Sequence, residues 1–198
     1  MVIADVSDKG VPAALYMMSA KISINDYTMT GKEPADVLTA VNDVLTRNPQ
    51  DMFVTVWVGV LDLKTGVLTA ANAGHEYPIL LSPGGSFEIV KDRHGIVLGG
   101  MEGVWYRQYE LQLEPGAKLF LYTDGVPEAS NKDKQFFGLE RTLEALNRKK
   151  EGTPEELIAS VRSAVQEFAG GAPPFDDMTM LCLSYAGPDG ENEDRNDE

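Results

Sequence analysis

Apolar and polar positions follow two different periods along this chain, and the changes of period mark its elements. Val2-Ile3-Ala4-Asp5-Val6 reads as a strand beginning almost on the first residue, and Ser7-Asp8-Lys9-Gly10 as a turn. Pro12 suits a helical first turn, and Val11, Ala14, Leu15, Met18 and Ile22 then share one helical face, with Met17 and Met18 expected to fill core. Gly31 ends that helix. A second helix starts near Pro34 with Val37, Leu38, Val41, Val44 and Leu45 on one stripe. From Phe53 the period drops to that of a strand, rich in β-branched and aromatic residues through Leu61. Asp62 to Gly66 turns the chain and Val67 to Ala73 returns as its partner. Tyr77–Leu81 and Ser86–Val90 are expected to continue this as a β-meander. Trp105–Leu113 and the unbroken apolar run Leu119–Tyr122 predict two further strands, the latter buried on both faces. Leu139, Leu143 and Leu146 predict a helix. Thr153-Pro154-Glu155-Glu156 is a capping box opening another, with Leu157, Ile158, Val161, Val165 and Phe168 inward. Met178–Tyr185 closes the chain as a strand.

Two helices, a run of antiparallel strands, two helices and a closing strand make an α+β layered domain rather than a doubly wound parallel sheet. A chain of 198 residues suits one domain with a sizeable core. Its net charge of −14 would repel nucleic acid phosphates. Part of that charge lies in residues 187–198, six acids and one arginine with nothing apolar to bury, expected to be a disordered acidic tail after a domain spanning 1–186. The single cysteine, Cys182, sits in an apolar run and is expected to be a buried small hydrophobe. No stretch approaches the roughly 18 apolar residues of a membrane span, and no leader opens the chain, so the expectation is a cytoplasmic protein without membrane insertion.

The candidate chemistry lies where strands end in carboxylates. Asp124 follows the Leu119–Tyr122 run and precedes Gly125, Asp5 follows Val2-Ile3-Ala4, and Asp176-Asp177 precede the last strand. Hard dications such as Mg²⁺ and Mn²⁺ take a few carboxylates, a main-chain carbonyl and waters. Asp5, Asp124 and Asp176 supply the carboxylates, and the turn at Val6 leaves a carbonyl to join them. Any one aspartate beside a turn is as well explained by a turn hydrogen bond; three at strand ends favour one convergent metal site.

Ala4-Asp5-Val6-Ser7-Asp8-Lys9-Gly10-Val11-Pro12-Ala13-Ala14-Leu15 resembles the first motif of the SpoIIE/RsbU branch of PPM-type metal-dependent protein serine/threonine phosphatases. Phe53-Val54-Thr55, Asn72-Ala73-Gly74-His75, Tyr122-Thr123-Asp124-Gly125-Val126 and Asp176-Asp177-Met178-Thr179 are similar to later motifs of that branch, in its order. The resemblance implies an α/β/β/α sandwich of two antiparallel sheets flanked by helices, with two Mn²⁺ or Mg²⁺ ions between the sheets. It implies that Asp5 bridges the ions, the Val6 carbonyl binds one, Asp124 and Asp176 complete the site, and Asp177 is a ligand or orients one. It further implies attack on phosphoserine or phosphothreonine by metal-activated hydroxide. The expected substrate is a STAS-type anti-sigma-factor antagonist in a bacterial signalling pathway, with an upstream sensor or dimerisation domain in the parent protein. Relatives carry a further acidic motif on an upstream strand, so an N-terminal strand is expected to be missing, leaving an exposed sheet edge and weakening one metal position. Where many relatives have Ser-Gly-His-Gly, this chain has Ser7-Asp8-Lys9-Gly10, making Lys9 a candidate phosphate contact. His75 is a second candidate substrate contact, with a structural hydrogen bond in the turn as the competing reading. His94 is expected in a surface loop. The alternative function is a catalytically weak phosphatase-like binding module.

Overall fold

The computed structural model describes residues 1–47, 52–173 and 176–188; residues 189–198, most of the expected acidic tail, and Pro174 lie outside the described residues. In chain order the elements are β1 (Val2–Val6), α1 (Val11–Met29), α2 (Pro34–Arg47), β2 (Val54–Leu61), β3 (Val67–Ala73), β4 (Ile79–Leu81), β5 (Phe87–Ile89), β6 (Gln108–Gln112), β7 (Lys118–Tyr122), α3 (Gly138–Asn147), α4 (Pro154–Ala169) and β8 (Met180–Ser184). They form two four-stranded antiparallel sheets, ordered β1-β2-β3-β6 and β5-β4-β7-β8.

The period of two along the strands explains the layering. In β2, Val54, Val56 and Val58 join Val37, Leu38 and Val41 of α2 in one core, while Trp57 turns to the other face. In β7, Leu119 and Leu121 meet Trp57 and Leu68 between the sheets, while Phe120 and Tyr122 join Leu157, Val161 and Val165 of α4. Helix pair, sheet, sheet and helix pair therefore stack as an α/β/β/α sandwich, and β7 is buried on both faces as its apolar run requires. The Thr153 capping box forms, its hydroxyl accepting from the Glu156 N–H at 3.3 Å and Glu156 accepting from the Thr153 N–H at 2.9 Å.

Two expectations are corrected. The meander does not continue in one sheet: β4 and β5 join β7 in the second sheet, and β6 returns to the first. The chain leaves β3 through Gly74, whose φ of 68° suits glycine, and Asn72 clamps the turn, accepting from the His75 N–H at 2.8 Å and donating to its carbonyl at 3.1 Å. The other correction is the face of α1. Ala13, Tyr16, Ala20 and Ile24 are buried, whereas Val11, Leu15, Met17, Met18 and Ile22 are exposed. Small alanines let the helix lie close to its neighbours, with Tyr16 filling the gap beside Gly99, so the bulkier stripe is left outside. Cys182 is half-buried against the α3/α4 core, and burial pushes its thiol up to about 11.

Candidate metal centre

Ile3 lies in the core between the sheets, and alternation turns Asp5 to the same side at the open end of β1. There it stands opposite Thr55 in the β1–β2 ladder. Asp124 is the second residue beyond β7. The turn after it is tied by Val126 N–H donating to the Thr123 carbonyl (3.1 Å) and Glu128 N–H to the Asp124 carbonyl (2.9 Å). Asp176 and Asp177 are brought alongside by Thr123. Its N–H donates to the Thr179 carbonyl (3.0 Å), its hydroxyl to the Asp177 carbonyl (3.3 Å), and the Thr179 N–H donates back to that hydroxyl (3.1 Å). Gly125 permits the approach, because a Cβ there would collide with the Asp177 carbonyl.

The three carboxylates feel one another. Burial first, then the negative charges of Asp124 and Asp176, push Asp5 up from 3.8 to about 6. Asp124 Oδ1 is buried with no hydrogen-bond partner among the described residues. Lys9 sits after Asp8, which turns with φ of 73°, and its exposed ammonium reaches Asp176 Oδ1 at 3.3 Å. Val6 and the exposed Asp177 line the same cleft, a space of about 780 Å³ running between the outer edge of β1 and α1 down to Asp5, Lys9 and Asp176.

An all-oxygen donor set, crowded like charges and an orphaned buried carboxylate oxygen fit a hard cation. Among the described residues no three His, Cys, Asp or Glu side chains are grouped closely enough to hold a metal ion as they stand.

The stability consequence of Asp5 has a definite sign. A carboxyl raised from 3.8 to about 6 contributes stability in its protonated form, fully present below 3.8 and lost as pH rises through about 6. Asp5→Asn is therefore expected to raise the melting temperature of the metal-free protein by a few degrees at about pH 8, with the gap closing toward pH 4. Melts in EDTA across that range check it; a gap independent of pH, or a less stable variant at pH 8, would contradict the electrostatic account.

His75 is not on the solvent side of the cleft. It is buried between the sheets, its Nδ1 2.9 Å from the Thr55 hydroxyl, which itself lies 3.5 Å from the Asp5 carbonyl. Its Nε2 faces the Tyr122 carbonyl without closing a hydrogen bond, and burial lowers the imidazole to about 4, so the ring is neutral. His75 thus stands between the strands that carry Asp5 and Asp124.

Sequence reasoning passed over Thr123, Glu76 and Asp92. Glu76 is raised by burial and then by the charges of Asp124 and Glu128. Asp92 has a fully buried side chain that accepts from Asn72 Nδ2 and lies against His94 Nδ1, both at 3.0 Å. His94, expected as a plain surface residue, is thereby held, with its ring against Tyr77 (centroids 4.8 Å apart). The adjacency of Glu76 to the Asn-Ala-Gly-His turn was a usable signal; His94, two residues on, was a local pointer to Asp92, whereas Asn72 lies 20 residues away.

Two stacked antiparallel sheets flanked by helices are the fold of PP2C-type serine/threonine phosphatases, which are hydrolases. The SiaA PP2C domain of Pseudomonas aeruginosa superimposes with a TM-score of 0.80 at 22% identity, covering 93% of this chain and 74% of that one. The PstP catalytic domain, solved in complex with two manganese ions, shares the fold at a TM-score of 0.61 and 15% identity, over 91% and 84% of the two chains. A family model described as stage II sporulation protein E (SpoIIE) matches residues 1–186, and the chain belongs to that family. Curated relatives include Protein IcfG of Synechocystis sp. (strain ATCC 27184 / PCC 6803 / Kazusa), 31% identical over 92% of this chain and 33% of its own length. Phosphoserine phosphatase RsbU of Bacillus subtilis (strain 168) is 35% identical over 64% of this chain and 38% of its length. The chain thus spans little more than a third of these relatives. Among the described residues no helix is long and apolar enough to cross a membrane.

Proposed function

We propose that this domain hydrolyses phosphoserine or phosphothreonine in a protein substrate, using two divalent ions, Mn²⁺ or Mg²⁺. The observation that carries this is the electrostatic coupling of Asp5 to Asp124 and Asp176, with Asp124 Oδ1 buried and without a hydrogen-bond partner among the described residues. When bound, the ions would lower the pKa of water and clamp a phosphoryl oxygen. Asp5, the Val6 carbonyl, Asp124, Asp176 and Asp177 would hold them. Thr123 and Gly125 hold Asp176 and Asp177 against Asp124. Lys9, whose ammonium lies 3.3 Å from Asp176 Oδ1, would offer a charge-assisted contact to a substrate phosphate. His75 we assign to the support of the site rather than to substrate, because its ring is buried and neutral.

The likeness to RsbU supports a phosphoprotein substrate, here proposed to be a STAS-type anti-sigma-factor antagonist. We further propose a cytoplasmic parent protein with an upstream sensor or dimerisation domain; RsbU is itself longer than the matched part, which is 38% of its length. A second reading, a module that holds a partner without turnover, draws on the unclosed arrangement of the carboxylates. The two are separated by p-nitrophenyl phosphate hydrolysis titrated with Mn²⁺. Saturable turnover abolished by EDTA is expected; no turnover at millimolar Mn²⁺ would favour the binding module.

A further inference from the structure

Beyond Asp124 the chain forms a stiff hairpin before it enters α3. The segment after Glu128 folds back on itself: Ser130 bridges Phe136, the Phe137 N–H donates to the Ala129 carbonyl at 2.8 Å, and the Gly138 N–H to the Pro127 carbonyl at 2.8 Å. Asn131 organises the tip, its Oδ1 accepting from the N–H groups of Asp133 and Gln135 at 3.0 and 2.9 Å. The base is fixed to the helices. Phe137 is buried with its ring edge-on to Phe168, and Arg141, stacked on that same ring, donates to the Phe136 and Phe137 carbonyls. Phe136, by contrast, is 60% exposed. Lys132 and Lys134 at the tip are exposed too, and neither forms an ion pair among the described residues, although Asp133 stands between them in sequence. In a chain of 31 acids against 17 bases, two unpaired lysines beside an outward aromatic ring favour an acidic partner that most of the surface repels.

We infer that the hairpin of residues 130–136 docks the protein substrate, Phe136 making an apolar contact while Lys132 and Lys134 read acidic residues that flank the phosphorylated one. The inference rests on the phosphatase reading above. Location and charge select the substrate as the occupant. The hairpin leaves β7 at the end that carries Asp124, and the Glu128 N–H, just before it, donates to the Asp124 carbonyl at 2.9 Å. Glu76 feels the charges of both Asp124 and Glu128, so the root of the hairpin stands beside the carboxylates. That one turn and the extended residues after it put the Lys132 Cα within about 20 Å of the Asp124 Cα, a distance that roughly six residues of extended substrate span. A protein held by its phosphoryl group at Asp5 and Asp124 can therefore lay the residues next to its phosphoserine along the hairpin. Because Arg141, Asn131 and Phe137 already hold the loop, little ordering is left to oppose that contact.

The test uses the whole chain with Mn²⁺ and two synthetic phosphoserine peptides of equal length. One carries glutamates and the other glutamines along both flanks, out to about six residues from the phosphoserine. The quantity read is the ratio of kcat/KM, acidic peptide over neutral. Two exposed ion pairs together give roughly a two- to thirtyfold preference. Lys132→Gln with Lys134→Gln should lower the ratio by that factor, through KM, and leave p-nitrophenyl phosphate turnover and the melting temperature unchanged. Lys149→Gln with Arg162→Gln removes the same charge from exposed positions on the helix layer and should leave the ratio as it was. Phe136→Ala should raise KM for both peptides at least roughly threefold. A ratio unmoved by the hairpin lysines, or moved as far by the control pair, would overturn the inference. So would an unchanged KM in Phe136→Ala, or hydrolysis of p-nitrophenyl phosphate with neither peptide accepted. Absence of Mn²⁺-dependent p-nitrophenyl phosphate turnover would instead remove the phosphatase reading itself, and this inference with it.

Discussion

Asp124→Asn is expected to abolish Mn²⁺-dependent hydrolysis of p-nitrophenyl phosphate while leaving the melting temperature of the metal-free protein within a few degrees of wild type. The substitution changes one oxygen to an amide nitrogen and removes no core volume. What it removes is the negative charge, and one of two carboxylate oxygens, at the end of a strand buried on both faces. Residues that merely orient metal ligands cost roughly 10–100-fold when lost. A carboxylate that itself binds the ion should exceed that, so a fall of about a thousandfold or more is expected, with metal affinity reduced in calorimetric titration. Retention of more than a tenth of wild-type turnover would take Asp124 out of the centre.

The second large effect concerns a residue with no side chain. In Gly125→Ala the new methyl group would meet the Asp177 carbonyl, and relief requires the 176–179 segment to move away from Thr123. Overpacking of this kind costs about 1–3 kcal/mol, which for a domain of this size lowers the melting temperature by very roughly 2–12 °C. The stability loss should be accompanied by an activity loss out of proportion to it, because the displaced segment carries Asp176 and Asp177. The discriminating measurement is the Mn²⁺ concentration for half-maximal turnover, taken at a temperature where the variant is folded. It should rise at least severalfold; an unchanged metal requirement in a merely less stable protein would show that the Asp176 segment does not serve the metal site.

Much of this arrangement was legible before any coordinates. Leu119–Tyr122 is apolar on every residue, which only a strand covered on both faces tolerates, and a carboxylate just beyond it is therefore held by the whole fold. Asp5 and Asp176 were found by the same reasoning. The outward face of α1 was not, because the helix carries two apolar stripes and periodicity weights the bulkier one. What decides between them is how closely helix and sheet can approach, which favours Ala13 and Ala20 and is not encoded in hydrophobicity. Buried Asp92 was equally hidden: His94 is its near neighbour in sequence, but Asn72, which donates to it, lies at the end of β3, 20 residues earlier. The crossing between the sheets put β4 and β5 in the second sheet, which local turn signals could not foretell.

The carboxylates of the centre are anchored unequally. Asp124 is fixed by β7, hydrogen-bonded to strands on both sides and covered on both faces, so its amides should exchange with solvent deuterium only through global unfolding. Asp176 depends on the few bonds that Thr123 makes with residues 177–179. Opening of that clamp would separate the oxygens without disturbing either sheet. If the proposed centre binds metal, its occupancy would follow a local equilibrium, and an event that biases the 176–179 segment would set catalytic output independently of the stability of the domain.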